Sequence, residues 1–394
     1  VSLKERIITT IDALADDAIA TSKALYEKPE LSGEEHESSR LLAEIAERHG
    51  FQVRFGVAGL PTAFSASRKP DAMGPRVAYL AEYDALPGIG HGCGHNFIGT
   101  ASTFAAVALG SVIDEIEGDV ALFGTPAEET DGGKIIMLDA GLFDDVSVAL
   151  MVHPGMNTEI AYPSLACLCV DVEFFGKSAH AGAAPWKGIN ALDAMIRLFS
   201  SLDGLRSQLS PTARVPGVIL NGGERANIVP DYTKAEFSLR GRDHAECEDI
   251  LAKLVEFGNA AAMATGAEFV HGIDGNIYHE MRPDKALAGL FLANWRAIGG
   301  EEPANTPKPH GSLDIGNLSH RFPCLHPSIR IAQDDSVAGH TREFAAATQT
   351  RFAEEQLVRA IKALALTGLD VISMDQRTLE LQPEAQKAAP EIPN

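Results

Sequence analysis

Arg76-Val77-Ala78-Tyr79-Leu80-Ala81 runs directly into Glu82-Tyr83-Asp84-Ala85-Leu86-Pro87, so a short apolar run empties into a polar loop closed by proline. Such a run, bounded by turn residues, predicts a buried strand. The pattern recurs twice. Val120 to Gly124 feeds Thr125-Pro126-Ala127-Glu128-Glu129, and Val148 to Val152 feeds His153-Pro154. Helically spaced stretches, Phe97 to Ile113 and Lys134 to Gly141, separate the three runs. Strands alternating with helices predict an α/β domain with a mostly parallel sheet, whose ligands gather beyond the carboxyl ends of the strands. All three polar clusters fall there.

Upstream, Ser2 to Gly50 reads as two helices broken at Lys28-Pro29-Glu30. Downstream, the pattern changes near Leu165. Cys167 to Phe175 reads as a strand, Asn190 to Leu202 as a helix, the runs around Ile219 and Ala235 to Leu239 as strands, and Cys247 to Thr265 as a helix, with a further strand near Phe269. This β-α-β-β-α order predicts an inserted ferredoxin-like α+β domain. Helical spacing returns at Asp284 to Ile298 and at Phe344 to Thr367, so the first domain resumes there. The expected division is a catalytic domain over 1–165 and 279–394 with a lid or dimerisation domain over 166–278. The stretch from Gln382 to Asn394 reads as a loose polar tail.

At 394 residues the chain exceeds the size at which a single core keeps growing, consistent with two domains. Apolar residues make up 45% and charged residues 22%, the composition of a globular protein. Lys and Arg number 33 against 54 Asp and Glu, a net charge of −21 that opposes nucleic acid and anionic lipid and leaves a small molecule as the expected partner. No run has the length of a membrane span and Val1 to Asp12 lacks a signal-peptide core, so a cytoplasmic location is expected. Five irregularly spaced cysteines predict reduced thiols.

The loop Gly90-His91-Gly92-Cys93-Gly94-His95-Asn96 has glycines that let side chains converge, and Cys93 and His95 offer borderline-soft donors suited to zinc and its neighbours. Glu128 and Glu129 follow a strand and a Thr-Pro-Ala turn, where one carboxylate can face a metal and the other its water. His153 follows another strand end. A lone histidine in such a place is more often ordinary packing. Three strand ends carrying Cys and His, a Glu pair and a His point instead to one metal site. Cys167 and Cys169 alternate on one strand and read as small core residues.

Together with Gly176-Lys177-Ser178-Ala179-His180-Ala181 and Gly339-His340-Thr341, these motifs resemble, in order and spacing, the M20 metallopeptidase and amidohydrolase family. Within it the chain is similar to the Cys-Gly-His branch of auxin-conjugate hydrolases, aminobenzoyl-glutamate hydrolases and related dipeptidases. The resemblance implies two divalent ions, manganese or zinc, held by Cys93, His95, Glu129, His153 and His340, with Cys93 as the bridge. It implies Glu128 as general base and Asp84 behind the metals as an orienting carboxylate. Glu82 stands where other branches place a metal-binding His and is expected not to be a ligand. The branch usually continues Cys-Gly-His-Asp with a further His, where this chain has Asn96 and Ile98. The resemblance further implies a homodimer in which His180 reaches the neighbour's substrate, with Asn227, Arg240, His310 and Ser312 helping to hold it.

The chemistry so implied is hydrolysis of an amide C–N bond in a dipeptide or an N-acyl or N-aroyl amino acid. Water activated between two cations attacks the carbonyl, Glu128 moves the proton, and His180 meets the oxyanion. Two alternatives stay open on the sequence: an aminohydrolase that releases ammonia from a small aromatic or amidine substrate, and a metal-dependent binding protein without turnover.

Overall fold

The computed structural model describes residues 1–304, 311–333 and 337–374, and these divide into two units. One holds the chain up to Pro163 and again from Met281. The other holds Ser164–Glu280 and a short return at residues 311–313, which the sequence reading did not anticipate.

The first unit opens with three helices, α1 (Leu3–Ala13), α2 (Ala15–Glu27) and α3 (His36–Arg48), where periodicity predicts two. The break between α1 and α2 is Leu14, which ends one helix and starts the next with φ −99° and ψ 3°. No glycine or proline marks it. Two short strands passed over by the sequence reading follow, β1 (Gln52–Phe55) and β2 (Phe64–Ser67). Then come β3 (Arg76–Ala81), α4 (His95–Gly110), β4 (Asp119–Gly124), α5 (Gly133–Asp139), β5 (Val148–Leu150) and β6 (His153–Gly155).

Every residue of α4 is buried, as expected for a helix apolar on all sides. It lies between β3 and β4 on one side and the helices of the first unit on the other. The strongest constraint on its start is Gly94, which takes φ +81°. A Cβ there would come within 2.4 Å of Pro154 Cγ, so only glycine lets the Cys93–His95 loop seat against the His153–Pro154 step.

The second unit is a four-stranded antiparallel sheet backed by two helices. Its elements are β7 (Ala166–Phe175), α6 (Ala191–Arg206), β8 (Gly217–Asn221), β9 (Tyr232–Gly241), α7 (His244–Thr265) and β10 (Glu268–Tyr278), with strand order β10-β7-β9-β8. Burial alternates along β7 and β9. Ala166, Leu168, Val170, Val172 and Phe174 form a core with residues of α6 and α7. Cys167 and Cys169 share a strand face as expected, but that face lies away from this core, with Arg240 and Ser238 as their β9 register partners. All five cysteines are free thiols.

The return to the first unit adds α8 (Lys285–Ala297), α9 (Ile315–Ser319), β11 (Cys324–Leu325), β12 (Ser328–Arg330), α10 (Arg342–Ala347) and α11 (Arg351–Ile372). The main sheet then runs β1-β2-β4-β3-β5-β11, parallel from β4 to β11 and antiparallel at the β1–β2 end. His153 does not end β5. It begins β6, which pairs in parallel with β12 as a separate two-stranded ribbon. Among the described residues no helix is long and apolar enough to cross a membrane.

Candidate metal centre

Beyond the carboxyl ends of β3, β4 and β5, the side chains of five proposed ligands converge. Cys93, His95 and His153 form one group whose donor atoms lie within 4.8 Å of one another, and Cys93, Glu129 and His340 form another. Cys93 belongs to both. Its Sγ stands 3.4 Å from His153 Nε2, and Glu129 Oε1 stands 3.7 Å from His340 Nε2. Glu128 joins a third group with His95 and Glu129, its Oε2 3.9 Å from His95 Nε2. Two non-glycine residues with positive φ lie here, Ala127 at +58° and His340 at +61°. Such angles in non-glycine residues cluster where a site over-determines the backbone.

Asp84 is the hinge of the arrangement. Its Oδ1 pairs with His95 Nδ1 at 2.8 Å, while Oδ2 accepts from the Glu129 N–H at 3.0 Å and the Ser32 hydroxyl at 2.8 Å. Burial opposes its ionisation, but the imidazole and these donors outweigh that and hold the carboxyl down to about 2. With Nδ1 so engaged, Nε2 is the atom His95 turns toward the converging donors. Both His95 Nε2 and Glu129 Oε1 are buried without a hydrogen-bond partner among the described residues. Buried polar atoms are rarely left so. Sulfur, imidazole and carboxylate converging on such atoms form a donor set that suits zinc or manganese.

Burial pushes the Cys93 thiol well above its ordinary value, so a thiolate there calls for a cation. Burial, reinforced by the charges of Glu82 and Asp314, likewise holds the Glu128 carboxyl well above the carboxylate range. That direction favours proton uptake by the carboxylate.

Several residues around this centre escaped the sequence reading. Glu35 is buried and accepts from the Ala127 N–H at 2.9 Å and the Thr62 hydroxyl at 2.8 Å, fixing the turn that presents Glu128. Lys134 is buried in α5 with its ammonium between Glu82 and Asp314. His326, also buried, bonds Tyr162 Oη through Nδ1 at 2.8 Å, and its ring centroid lies 5.5 Å from that of His153. Burial and the neighbouring His153 pull its imidazole down to about 3 and keep it neutral. The signal for His326 was in the sequence: His326-Pro327 repeats His153-Pro154 and leads directly into β12, whose first residue, Ser328, is the register partner of His153.

The other proposed residues belong to the second unit. His180 is exposed, and its Nδ1 accepts from the Gly182 and Ala183 N–H groups at 3.2 Å each, which leaves Nε2–H as the outward donor. Asn227 lies beside it, its carbonyl accepting from the Ala181 N–H at 3.0 Å. Arg240 and Ser312 both lie next to Cys167. His310 falls outside the described residues. Asn96, one of the departures from the usual branch loop, turns its amide to Ser22 and Thr348 inside the first unit.

Comparison with known proteins bears on this geometry. The model of the peptidase dimerisation domain matches residues 167–265. The Xaa-Arg dipeptidase of Mus musculus is 38% identical over 385 residues, covering 94% of this chain and 89% of that protein. The chain belongs to the M20 family of metallopeptidases. Among other M20 relatives, a p-aminobenzoyl-glutamate hydrolase polypeptide of Escherichia coli is 33% identical over 283 residues, covering 64% of this chain and 58% of that protein. Two solved structures share the fold. A dinuclear metal binding peptidase from the M20 family of Bacillus subtilis has a TM-score of 0.67 at 19% identity, covering 91% of this chain and 99% of that one. An aminobenzoyl-glutamate utilization protein of Klebsiella pneumoniae has a TM-score of 0.71 at 20% identity, covering 93% and 98%. As an M20 protein the chain is a hydrolase of amide bonds in small molecules.

Proposed function

We propose that this chain is a dimeric two-metal dipeptidase, with Glu128 as general base and substrates that end in a basic residue. The observation that carries the reading is the pair of donor groups sharing Cys93, with Glu128 beside them. One ion would be held by Cys93, His95 and His153 and the other by Cys93, Glu129 and His340, with manganese or zinc suiting the donors. When bound, two such ions acidify water and polarise a carbonyl.

Glu128 takes the proton of the attacking water and delivers it to the departing amine, so the C–N bond breaks as the amine becomes neutral. Asp84 keeps His95 in the tautomer that presents Nε2. His180 donates from Nε2–H to the carbonyl oxygen as negative charge grows there, and we assign it to the partner subunit's substrate. Pairing through the second unit is supported by the dimerisation-domain match and by β8, an edge strand that exposes Val218 and Leu220. Asn227, Arg240, His310 and Ser312 would line the substrate. The preference for a basic residue is supported by the Xaa-Arg dipeptidase relative and by the charge of −21, which draws cationic substrates.

The purified protein, reloaded with manganese or zinc, should release free arginine or lysine from Xaa-Arg and Xaa-Lys dipeptides faster than any amino acid from N-acyl amino acids. Release of ammonia from aromatic amines in place of amino acids would overturn the reading.

A further inference from the structure

Lys134 is completely buried, and no step of the proposed chemistry uses it. Its Nζ donates to Glu82 Oε1 at 2.5 Å and to Asp314 Oδ1 at 2.6 Å, while its backbone N–H donates to Asp314 Oδ2 at 3.0 Å. Asp314 thus grips the residue at both ends, and Glu82 and Asp314 are buried with it. An unpaired charge at this depth would be costly, so the three groups hold one another in place.

The consequence falls on Glu82. With Oε1 committed to the ammonium, only Oε2 remains, 3.4 Å from His95 Nε2. Glu82 is therefore nearer that nitrogen than Glu128 or Glu129, whose closest oxygens are 3.9 Å away. Without the ammonium, both Glu82 oxygens could turn to a cation bound at His95. Each additional carboxylate oxygen favours hard, oxygen-preferring ions over zinc.

We propose that Lys134 is a positioning residue that withdraws Glu82 Oε1 from the metals, limiting the carboxylate oxygens that reach them and so setting which divalent ion the centre prefers. The inference rests on the two-metal reading above. Glu82 offers at most one oxygen while the Lys134–Asp314 clamp is closed.

The test compares manganese and zinc affinities, by competition against a chelating dye, for the wild-type dimer and for Lys134→Met, Lys134→Met/Glu82→Gln and Lys134→Met/Asp314→Asn. Freeing Glu82 in Lys134→Met should shift the ratio of affinities toward manganese by about tenfold or more, the scale expected when a residue bracing a metal site is removed. Cobalt absorption should weaken at the same time, as coordination number rises. Lys134→Met/Glu82→Gln should bring the ratio back to within about threefold of wild type, because no carboxylate is then released. If Lys134→Met does not fold, Lys134→Met/Asp314→Asn frees Glu82 without changing net charge and should show the same shift. An unchanged ratio in a folded variant that still carries Glu82 overturns the proposal, as does a shift that persists in Lys134→Met/Glu82→Gln. Failure of the wild-type protein to bind either metal would instead overturn the two-metal reading.

Discussion

One carboxylate, Asp84, bonds His95 Nδ1 at 2.8 Å and the Glu129 backbone N–H at 3.0 Å, so a single side chain orients two of the proposed metal ligands. Asp84→Asn keeps the shape but can put a donor where an acceptor is needed. Metal affinity should fall by about 10- to 100-fold, as for other residues that orient ligands. Equilibrium dialysis checks this, and an affinity equal to wild type would remove Asp84 from the support of the site.

Glu128 and Glu129 are adjacent yet have separate jobs in this reading. Glu128→Gln should keep both metals and lose turnover by on the order of a hundredfold or more, whereas Glu129→Ala should lose metal as well. Elemental analysis alongside kcat separates them, and the reverse pattern would exchange the roles.

The raised carboxyl of Glu128 also carries a stability consequence. In metal-free protein it keeps its proton at pH values where the unfolded chain, with an ordinary carboxyl at 4.5, has lost its own. Its contribution is therefore present below that unfolded value and is lost as pH rises through the folded one. Metal-free Glu128→Gln lacks the titration, so its Tm should gain on wild type between about pH 5 and pH 8. A difference that stays flat, or reverses, would show that the carboxyl is not raised.

Cys93 should be slow to alkylate in the metal-loaded protein and faster once metal is removed, with the metal-free rate still rising with pH beyond the point where an ordinary thiol has ionised, because burial disfavours its thiolate. Peptide mapping of the label isolates Cys93 from Cys169, which is also partly exposed. Equal labelling in the two forms would argue against ligation.

His180→Ala and Glu128→Ala chains, each inactive alone, should recover about a quarter of wild-type activity when mixed and exchanged, since about half of the dimers are mixed and each has one intact site. No recovery after demonstrated exchange would place His180 in its own subunit's site or outside catalysis.

The motifs that brought Cys93, His95, Glu128, Glu129 and His153 into view are legible because each is written locally: the Glu pair and His153 closely follow apolar strands, and Cys93 and His95 share one glycine-rich loop. Lys134 is not legible in that way. Its partners Glu82 and Asp314 lie 52 and 180 residues away, and nothing local distinguishes it from a lysine at the start of a surface helix. Strands β1 and β2 fail for the related reason that four residues each, with β1 largely exposed, leave too little pattern. The α1–α2 break at Leu14 is invisible because periodicity continues through it without a breaker residue. Asp84 was found for its place in a motif, but its grip on the Glu129 N–H belongs to the folded chain alone.

The two His-Pro steps bind the history of the chain to its chemistry. The His153 N–H donates to the Pro327 carbonyl at 2.9 Å, and the His340 N–H donates to the Gly92 carbonyl at 2.8 Å. Proposed ligands made early in synthesis are thus held by residues made much later. A nascent polypeptide still ending before Pro327 has Cys93, His95 and Glu129 but neither the brace for His153 nor His340. In the proposed two-metal centre, ion capture would therefore await the later part of the chain, and a chain that stops before Pro327 would carry the early motifs without the full donor set.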